Sequence, residues 1–136
     1  MSAVLVDSNV ILDVLTEDAA WYGWSSAALE HCAGGSTLCI NAIIYAEVSV
    51  SFDRIEDVEA ALPGDVFQRL HLPYEAAFLA AKAFVQYRQR GGARVSTLPD
   101  FFIGAHAAVS GLRLLTRDDS RYRTYFPKLT FISPTG

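Results

Sequence analysis

Short unbroken apolar runs alternate along this chain with longer segments whose apolar residues recur every three or four positions. Ala3 to Val6 is the first run, continuous and without an alternating polar face, the pattern of a strand buried on both sides. Directly after Asp7, the spacing of Val10, Ile11, Val14 and Leu15 predicts a helix, and a second helix over Ala20 to Cys32 is expected to stop at Gly34-Gly35. Thr37 to Ile40 reads as a strand, and Asn41 as the N-cap of a helix carrying Ile43, Ile44, Glu47 and Val48. A short polar helix over Asp53 to Leu62 closes at Pro63-Gly64, followed by a brief Leu70-His71-Leu72 segment. A long amphipathic helix from Glu75 to about Arg90 places Ala77, Leu79, Ala80, Ala83 and Phe84 among its apolar positions. Gly91-Gly92 ends it, and the loop from there to Leu98 is expected to be the most mobile part of the chain. Asp100 then opens a helix to about Ser110, Gly111 stops it, Leu112 to Thr116 is a strand, Asp118-Asp119-Ser120 a turn, and Leu129 to Ile132 a last strand.

This order predicts an α/β fold with a mostly parallel sheet, right-handed crossovers and helices on both faces. No repeat, linker or composition break divides the 136 residues, so residues 1–136 read as one domain. With 51% hydrophobic and 19% charged residues, disorder and low complexity are excluded. No apolar stretch approaches the roughly 18 to 20 residues of a membrane span, and the start has no basic region before its short apolar run; no membrane association and a cytoplasmic location are expected. Cys32 and Cys39 match no zinc spacing, even with His31 beside them, and read as buried or half-buried free thiols.

The net charge of −4 argues against a surface that simply coats nucleic acid, but the average hides a division. Met1 to Asp65 carries eleven acidic residues and one basic one, while Val66 to Gly136 carries four acidic and ten basic. Such asymmetry points to local fields, an acidic site or a basic face or both.

Topology says where some of the acids go. Asp7 and Asp118 each follow a strand, so in a parallel sheet both emerge at the carboxyl edge, where open α/β sheets bind ligands. Asp100 begins a crossover helix whose first turn lies over the same edge. Glu47 sits in an otherwise apolar stretch, on a helix that starts at that edge but about 9 Å along it. Two such charges about 4 Å apart repel by roughly 4 kcal/mol at an effective dielectric near 20, so a cluster of four calls for a cation or protonation. All-oxygen ligands with no partnered His or Cys favour Mg²⁺ or Mn²⁺. Each position also has a plainer reading: Asp7 and Asp100 as helix caps, Asp118 as a turn residue, Glu47 as a solvent-exposed acid. It is the convergence of all four on one edge that favours a site.

The motifs resemble those of the PIN-domain ribonucleases, particularly the VapC-type toxins of toxin-antitoxin modules. The resemblance is carried by Val6-Asp7-Ser8-Asn9-Val10-Ile11-Leu12-Asp13, by Asn41 to Glu47, by Leu98-Pro99-Asp100-Phe101-Phe102-Ile103-Gly104-Ala105-His106-Ala107 and by Leu114-Leu115-Thr116-Arg117-Asp118, in the family's order over nearly the whole chain. It implies a three-layer α/β/α PIN-like domain and makes Asp7, Glu47, Asp100 and Asp118 the quartet that holds Mg²⁺ or Mn²⁺. Ser8 and Thr116 match polar positions beside the metal, and Asn9 the residue that steadies the first Asp. Asp119 is the alternative fourth acid, and Asp13, one turn after Asn9, reads as an exposed surface acid, with a supporting position behind the metal ligands as the alternative. The implied activity is metal-dependent endoribonuclease cleavage leaving a 5′-phosphate and a 3′-hydroxyl; the implied partners are an RNA substrate, a VapB-like antitoxin and a second copy in a homodimer.

An acidic site must still attract an anion. Arg117, Arg94, Arg90 and Arg121 are candidates for gripping phosphates, with Lys82, Arg88, Arg113 and Arg123 as further cations whose plainer reading is surface ion pairing. His31, His71 and His106 read as non-catalytic, His106 as a helix-packing residue among alanines. Trp21, Tyr22 and Trp24 read as part of the core or its margin, with a partner-binding patch as the alternative. Two other classes compete with the nuclease: a receiver-like Mg²⁺-binding signalling domain, which would want a second acid near the first strand and a late Lys, and a non-catalytic PIN-fold binding module. An Asp-x-Asp phosphatase is disfavoured because Ser8 and Asn9 follow Asp7.

Overall fold

The computed structural model describes residues 2–92 and 98–136. The chain runs β1 (Ser2–Val6), α1 (Ser8–Leu15), α2 (Tyr22–Gly35), β2 (Ser36–Ile40), α3 (Ala42–Ser49), α4 (Ile55–Ala61), β3 (Phe67–Arg69), α5 (Tyr74–Gln89), α6 (Leu98–Ser110), β4 (Arg113–Leu115), α7 (Ser120–Tyr125) and β5 (Phe131–Ile132). The central part of the loop expected to be mobile, residues 93–97 with Arg94, lies outside the described residues.

The strands form one sheet in the order β3-β2-β1-β4-β5, and every pairing in it is parallel. The helices complete a three-layer α/β/α domain. The apolar runs explain why: Val4, Leu5 and Val6 of β1, Leu38, Cys39 and Ile40 of β2 and Leu114 and Leu115 of β4 are all buried, as strands covered on both faces must be. Each fully buried Leu, Ile or Val contributes about 2 kcal/mol through water exclusion. Both cysteines are buried and unpaired, as expected.

From β1 the chain builds outward through β2 and β3 on one side, then crosses to build β4 and β5 on the other. The winding therefore reverses between β1 and β4, which opens a crevice at their carboxyl ends. Register makes this specific: Val6 pairs with Leu115, so Asp7 and Thr116 leave the sheet side by side, tied by the Asp7 N–H bond to the Leu115 carbonyl at 2.9 Å.

Several boundaries differ from expectation, for physical reasons. Gly34 and Gly35 lie inside the last turn of α2 without positive φ, and the helix ends where Ser36 turns extended to begin β2. The third strand, Phe67–Arg69, is not among the expected strands and lies just before the Leu70-His71-Leu72 segment; only Phe67 faces inward, so no apolar run marks it. Helix α7 has no counterpart among the predicted elements, because its six residues include just one buried position, Tyr122. Gly111 does stop α6: it adopts φ +66°, and the Leu112 N–H reaches back to the Ala107 carbonyl at 2.9 Å, a Schellman-type close.

An aromatic layer fixes α7 against α5 and α6. Phe101 packs edge-on to Tyr125, with ring centres 5.2 Å apart, and Phe84, Tyr87 and Phe126 complete the group at 5.6 to 6.3 Å. Gly104 permits this approach, since a Cβ there would stand 2.6 Å from the Phe126 ring and 3.0 Å from that of Tyr122.

Candidate metal centre

Asp7 stands at the N-cap position of α1, yet its side chain makes no capping bond. Instead its Oδ2 accepts hydrogen bonds from the Thr116 hydroxyl at 2.9 Å and the Tyr122 hydroxyl at 2.9 Å, in a buried position. The cap reading of Asp7 thus fails. Thr116 spends its one proton on Asp7 and accepts from the Asn9 amide at 3.2 Å and the Asp118 backbone N–H at 3.2 Å, while Asn9 Oδ1 takes the Arg117 N–H at 3.4 Å. Asn9 and Thr116 together brace the ends of β1 and β4 around the first acid.

Asp7 Oδ1 is left with a single long contact, Ser8 Oγ at 3.5 Å. Ser8 donates instead to Glu47 Oε1 at 2.8 Å, which draws Glu47 to the site despite its distance along α3. Asp100 lies in the first turn of α6, where the helix dipole favours a carboxylate, and its Oδ2 receives Arg121 Nη1 at 2.7 Å. Asp118 is exposed and accepts from Ser120 Oγ at 3.1 Å. Asp7, Ser8, Asn9, Asp100, Asp118, Ser120, Arg121 and Tyr122 line one pocket of about 130 Å³, room for roughly four waters at about 30 Å³ each. A larger depression of about 710 Å³ opens at the opposite end of the sheet, beside Arg113 and Ser36, away from the carboxyl edge.

Electrostatics couples Asp7, Glu47 and Asp100, with the Asp118 charge acting on Asp100. Burial, with the charges of Asp100 and Glu47 adding to it, raises the Asp7 pKa to about 6 against the hydrogen bonds from Tyr122 and Thr116. Burial and the Asp100 charge also raise Glu47, with the Ser8 bond opposing. Asp100 is raised by burial, offset by Arg121, with the Asp118 charge adding. Tyr122 is pushed well above its ordinary value by burial and by the charges of Asp7, Asp100 and Glu47, so it remains the donor to Asp7. Carboxylates that raise one another are short of positive charge.

A hard divalent ion suits this donor set: oxygen ligands only, no sulfur or imidazole in the pocket, and an Asp7 oxygen left nearly free. Among the described residues no group of three His, Cys, Asp or Glu side chains is placed to clasp one ion by itself. That is compatible with Mg²⁺, which keeps several waters and takes one or two carboxylates directly.

Other expectations need correction. Asp13 is not a surface acid; it is buried, and its Oδ2 accepts from Ser25 Oγ at 2.7 Å and from Arg117 Nε at 2.8 Å. Arg117 is therefore committed to Asp13 and to the face of Trp21, 5.5 Å from its ring centre, and does not line the pocket. Arg90 lies over Tyr125 and likewise does not line it, whereas Arg121 does. Asp119 is a structural acid: its Oδ2 takes Ser133, Thr135 and Arg123, anchoring the C-terminal segment. Burial would raise the Asp119 carboxyl, but those donors outweigh it and hold it below the usual range. Trp21 and Trp24 are half-buried and Tyr22 exposed, so the trio forms a rim, with only Trp24 against the core. His106 is buried, as expected; the Asn41 amide, oriented by capping Ile44, donates to its Nδ1 at 2.9 Å, and burial lowers its pKa. Tyr122, the second holder of Asp7, had not been anticipated. Its trace in the sequence is the four-residue spacing to Phe126, both inward on one face just after the site strand.

A family model described as the PIN domain matches residues 4–127. The chain belongs to the PIN-domain family. Its members are in general nucleases that use divalent metals, and membership removes the receiver-like alternative. No curated protein matches this chain in sequence. Solved structures with the same fold include VapBC-1 from nontypeable Haemophilus influenzae (15% identity, TM-score 0.73, covering 98% of this chain and 99% of that one) and VapBC2 from Rickettsia felis bound to a promoter DNA fragment (16%, 0.72, 96% and 98%). A toxin-antitoxin complex from Klebsiella pneumoniae also matches (20%, 0.70, 96% and 97%). Among the described residues no helix is long and apolar enough to cross a membrane.

Proposed function

We propose that this PIN-domain protein is a divalent-metal-dependent endoribonuclease and the toxin half of a VapBC-type pair. The observation that carries the reading is the buried Asp7 carboxylate, held on one oxygen by Thr116 and Tyr122 and linked by repulsion to Glu47 and Asp100 at the crevice between β1 and β4. Asp7, Asp100 and Asp118 would hold Mg²⁺ or Mn²⁺ between them, in part through water, with Glu47 assisting through Ser8. When bound, the ion supplies an activated water and charge stabilisation on the reacting phosphate oxygens. Asn9 and Thr116 fix the first carboxylate, Tyr122 keeps its own proton to hold Asp7 Oδ2, and the hydrophobic strand ends beneath exclude water from that side. Among the described residues Arg121 is the pocket's cation for a phosphate group, with Arg90 outside the pocket lining and Arg117 braced by Asp13.

The toxin role rests on near full-length fold matches to VapBC assemblies. A VapB-like antitoxin and a homodimer follow from it, as does a cytoplasmic site of action. Incubation with 5′-labelled single-stranded RNA and Mg²⁺ is expected to give internal cuts bearing a 5′-phosphate and a 3′-hydroxyl, and acetyl phosphate is expected to leave the protein unlabelled. Intact RNA would favour the non-catalytic binding module instead.

A further inference from the structure

We propose that Arg121 is a built-in competitor of the divalent ion, occupying Asp100 until an ion arrives and then serving as the phosphate-holding cation of the same pocket. The inference rests on the nuclease reading above and assigns one side chain two opposed effects.

Three observations carry it. First, Arg121 Nη1 sits on Asp100 Oδ2 at 2.7 Å in a charge-assisted hydrogen bond, and so takes up an oxygen the ion would use. Second, among the described residues Arg121 is the sole cation lining the pocket. Its neighbours cannot replace it: Arg117 is bound to buried Asp13 at 2.8 Å, and Arg123 to Asp119 at 2.6 Å. Third, Arg121 is not locked. Its side chain is 37% exposed and leans over the Tyr87 ring at 5.5 Å, a support that holds the guanidinium near the pocket while leaving its fork able to turn.

Electrostatics fixes the sign of each effect. A guanidinium beside the carboxylates repels a doubly charged ion and must yield Asp100 Oδ2 to it, so its presence weakens metal binding. The same guanidinium attracts the phosphates of RNA, which it can take through two N–H groups at once, so its presence strengthens substrate binding. A merely structural surface ion pair would change neither affinity.

The test titrates Mn²⁺ by calorimetry into wild type, Arg121→Gln and Arg121→Lys without RNA, and separately measures KM for a single-stranded RNA at saturating Mn²⁺. Arg121→Gln is expected to bind Mn²⁺ about tenfold tighter, the size of a unit charge against a divalent ion across a few ångströms of hydrated pocket, while KM rises about tenfold. Arg121→Lys keeps the charge and is expected to bind Mn²⁺ within about twofold of wild type, with KM between the other two, since a point charge replaces the fork. Unchanged or weaker Mn²⁺ binding by folded Arg121→Gln, with wild type binding normally, would overturn this inference alone. Absence of Mn²⁺ binding and cleavage in wild type would overturn the nuclease reading together with it.

Discussion

Asp7→Asn is expected to cut RNA cleavage by about 10³-fold or more while making the fold harder to unfold at neutral pH. The loss follows from the ion's role, since several kcal/mol of charge stabilisation depend on holding it and each 1.4 kcal/mol or so is tenfold in rate. The gain follows from the cost of burying Asp7. Thr116 and Tyr122 can donate to an amide oxygen as they do to Oδ2, so the bonds that hold the side chain survive. What disappears is a buried charge. Asp7 binds its proton more tightly in the folded state, with a pKa of about 6, than unfolded, near 3.8. Native stability therefore falls as pH rises from about 4 to about 6, and the full cost, up to about 3 kcal/mol, is present at pH 7. Thermal melts in EDTA should show wild type losing stability across that window and Asp7→Asn losing less. A variant that cleaves RNA like wild type, or that melts lower than wild type at pH 7 in EDTA, would contradict this assignment of Asp7.

Gly104→Ala is expected to destabilise the protein by about 2 kcal/mol, although alanine usually improves a helix interior by up to about 1 kcal/mol. Gly104 is buried in α6, and the added Cβ would meet Phe126 ring carbons at 2.6 and 2.7 Å and Tyr122 Cδ1 at 3.0 Å. Neither ring has room to retreat: Phe126 is packed on Phe101, and Tyr122 is 97% covered with its hydroxyl on Asp7. Relief must come from shifting α7, which carries Tyr122 away from Asp7 and Arg121 away from Asp100. A lower urea midpoint should thus come with slower RNA cleavage. A midpoint at or above wild type would show that α7 is not pinned this way.

How much could be read beforehand follows from the range of the interactions. The interior strands were legible because burial on both faces leaves continuous apolar runs, as at Val4 to Val6 and Leu38 to Ile40. Once those strands are parallel, Asp7 and Asp118 must share an edge, and Asp100 must lie over it. Asn41 was legible as a cap because the signal is local, and its side chain does accept from Ile44 N at 3.0 Å. Partners far apart in sequence were not. Asp13 joins Arg117 across 104 residues and Tyr122 joins Asp7 across 115, so neither pair leaves a periodic trace. Asp13 looked like a surface acid because a buried carboxylate is affordable only beside donors, here Ser25 and Arg117, that the local pattern does not reveal. The division of charge also resolves at this level. Arg117, Arg121 and Arg123 of the basic half are each tied to an acid, so that half is less a free basic face than its composition suggests, and Arg121 alone among them lines the pocket.

The central claim is that carboxylate-held divalent metal drives RNA cleavage at the crevice between β1 and β4. It is tested most directly by following a 5′-labelled single-stranded RNA with the purified wild-type protein in excess EDTA and again after Mg²⁺ is restored. No cleavage in EDTA and recovery with Mg²⁺ is the expected result, and cleavage undiminished in EDTA would contradict it.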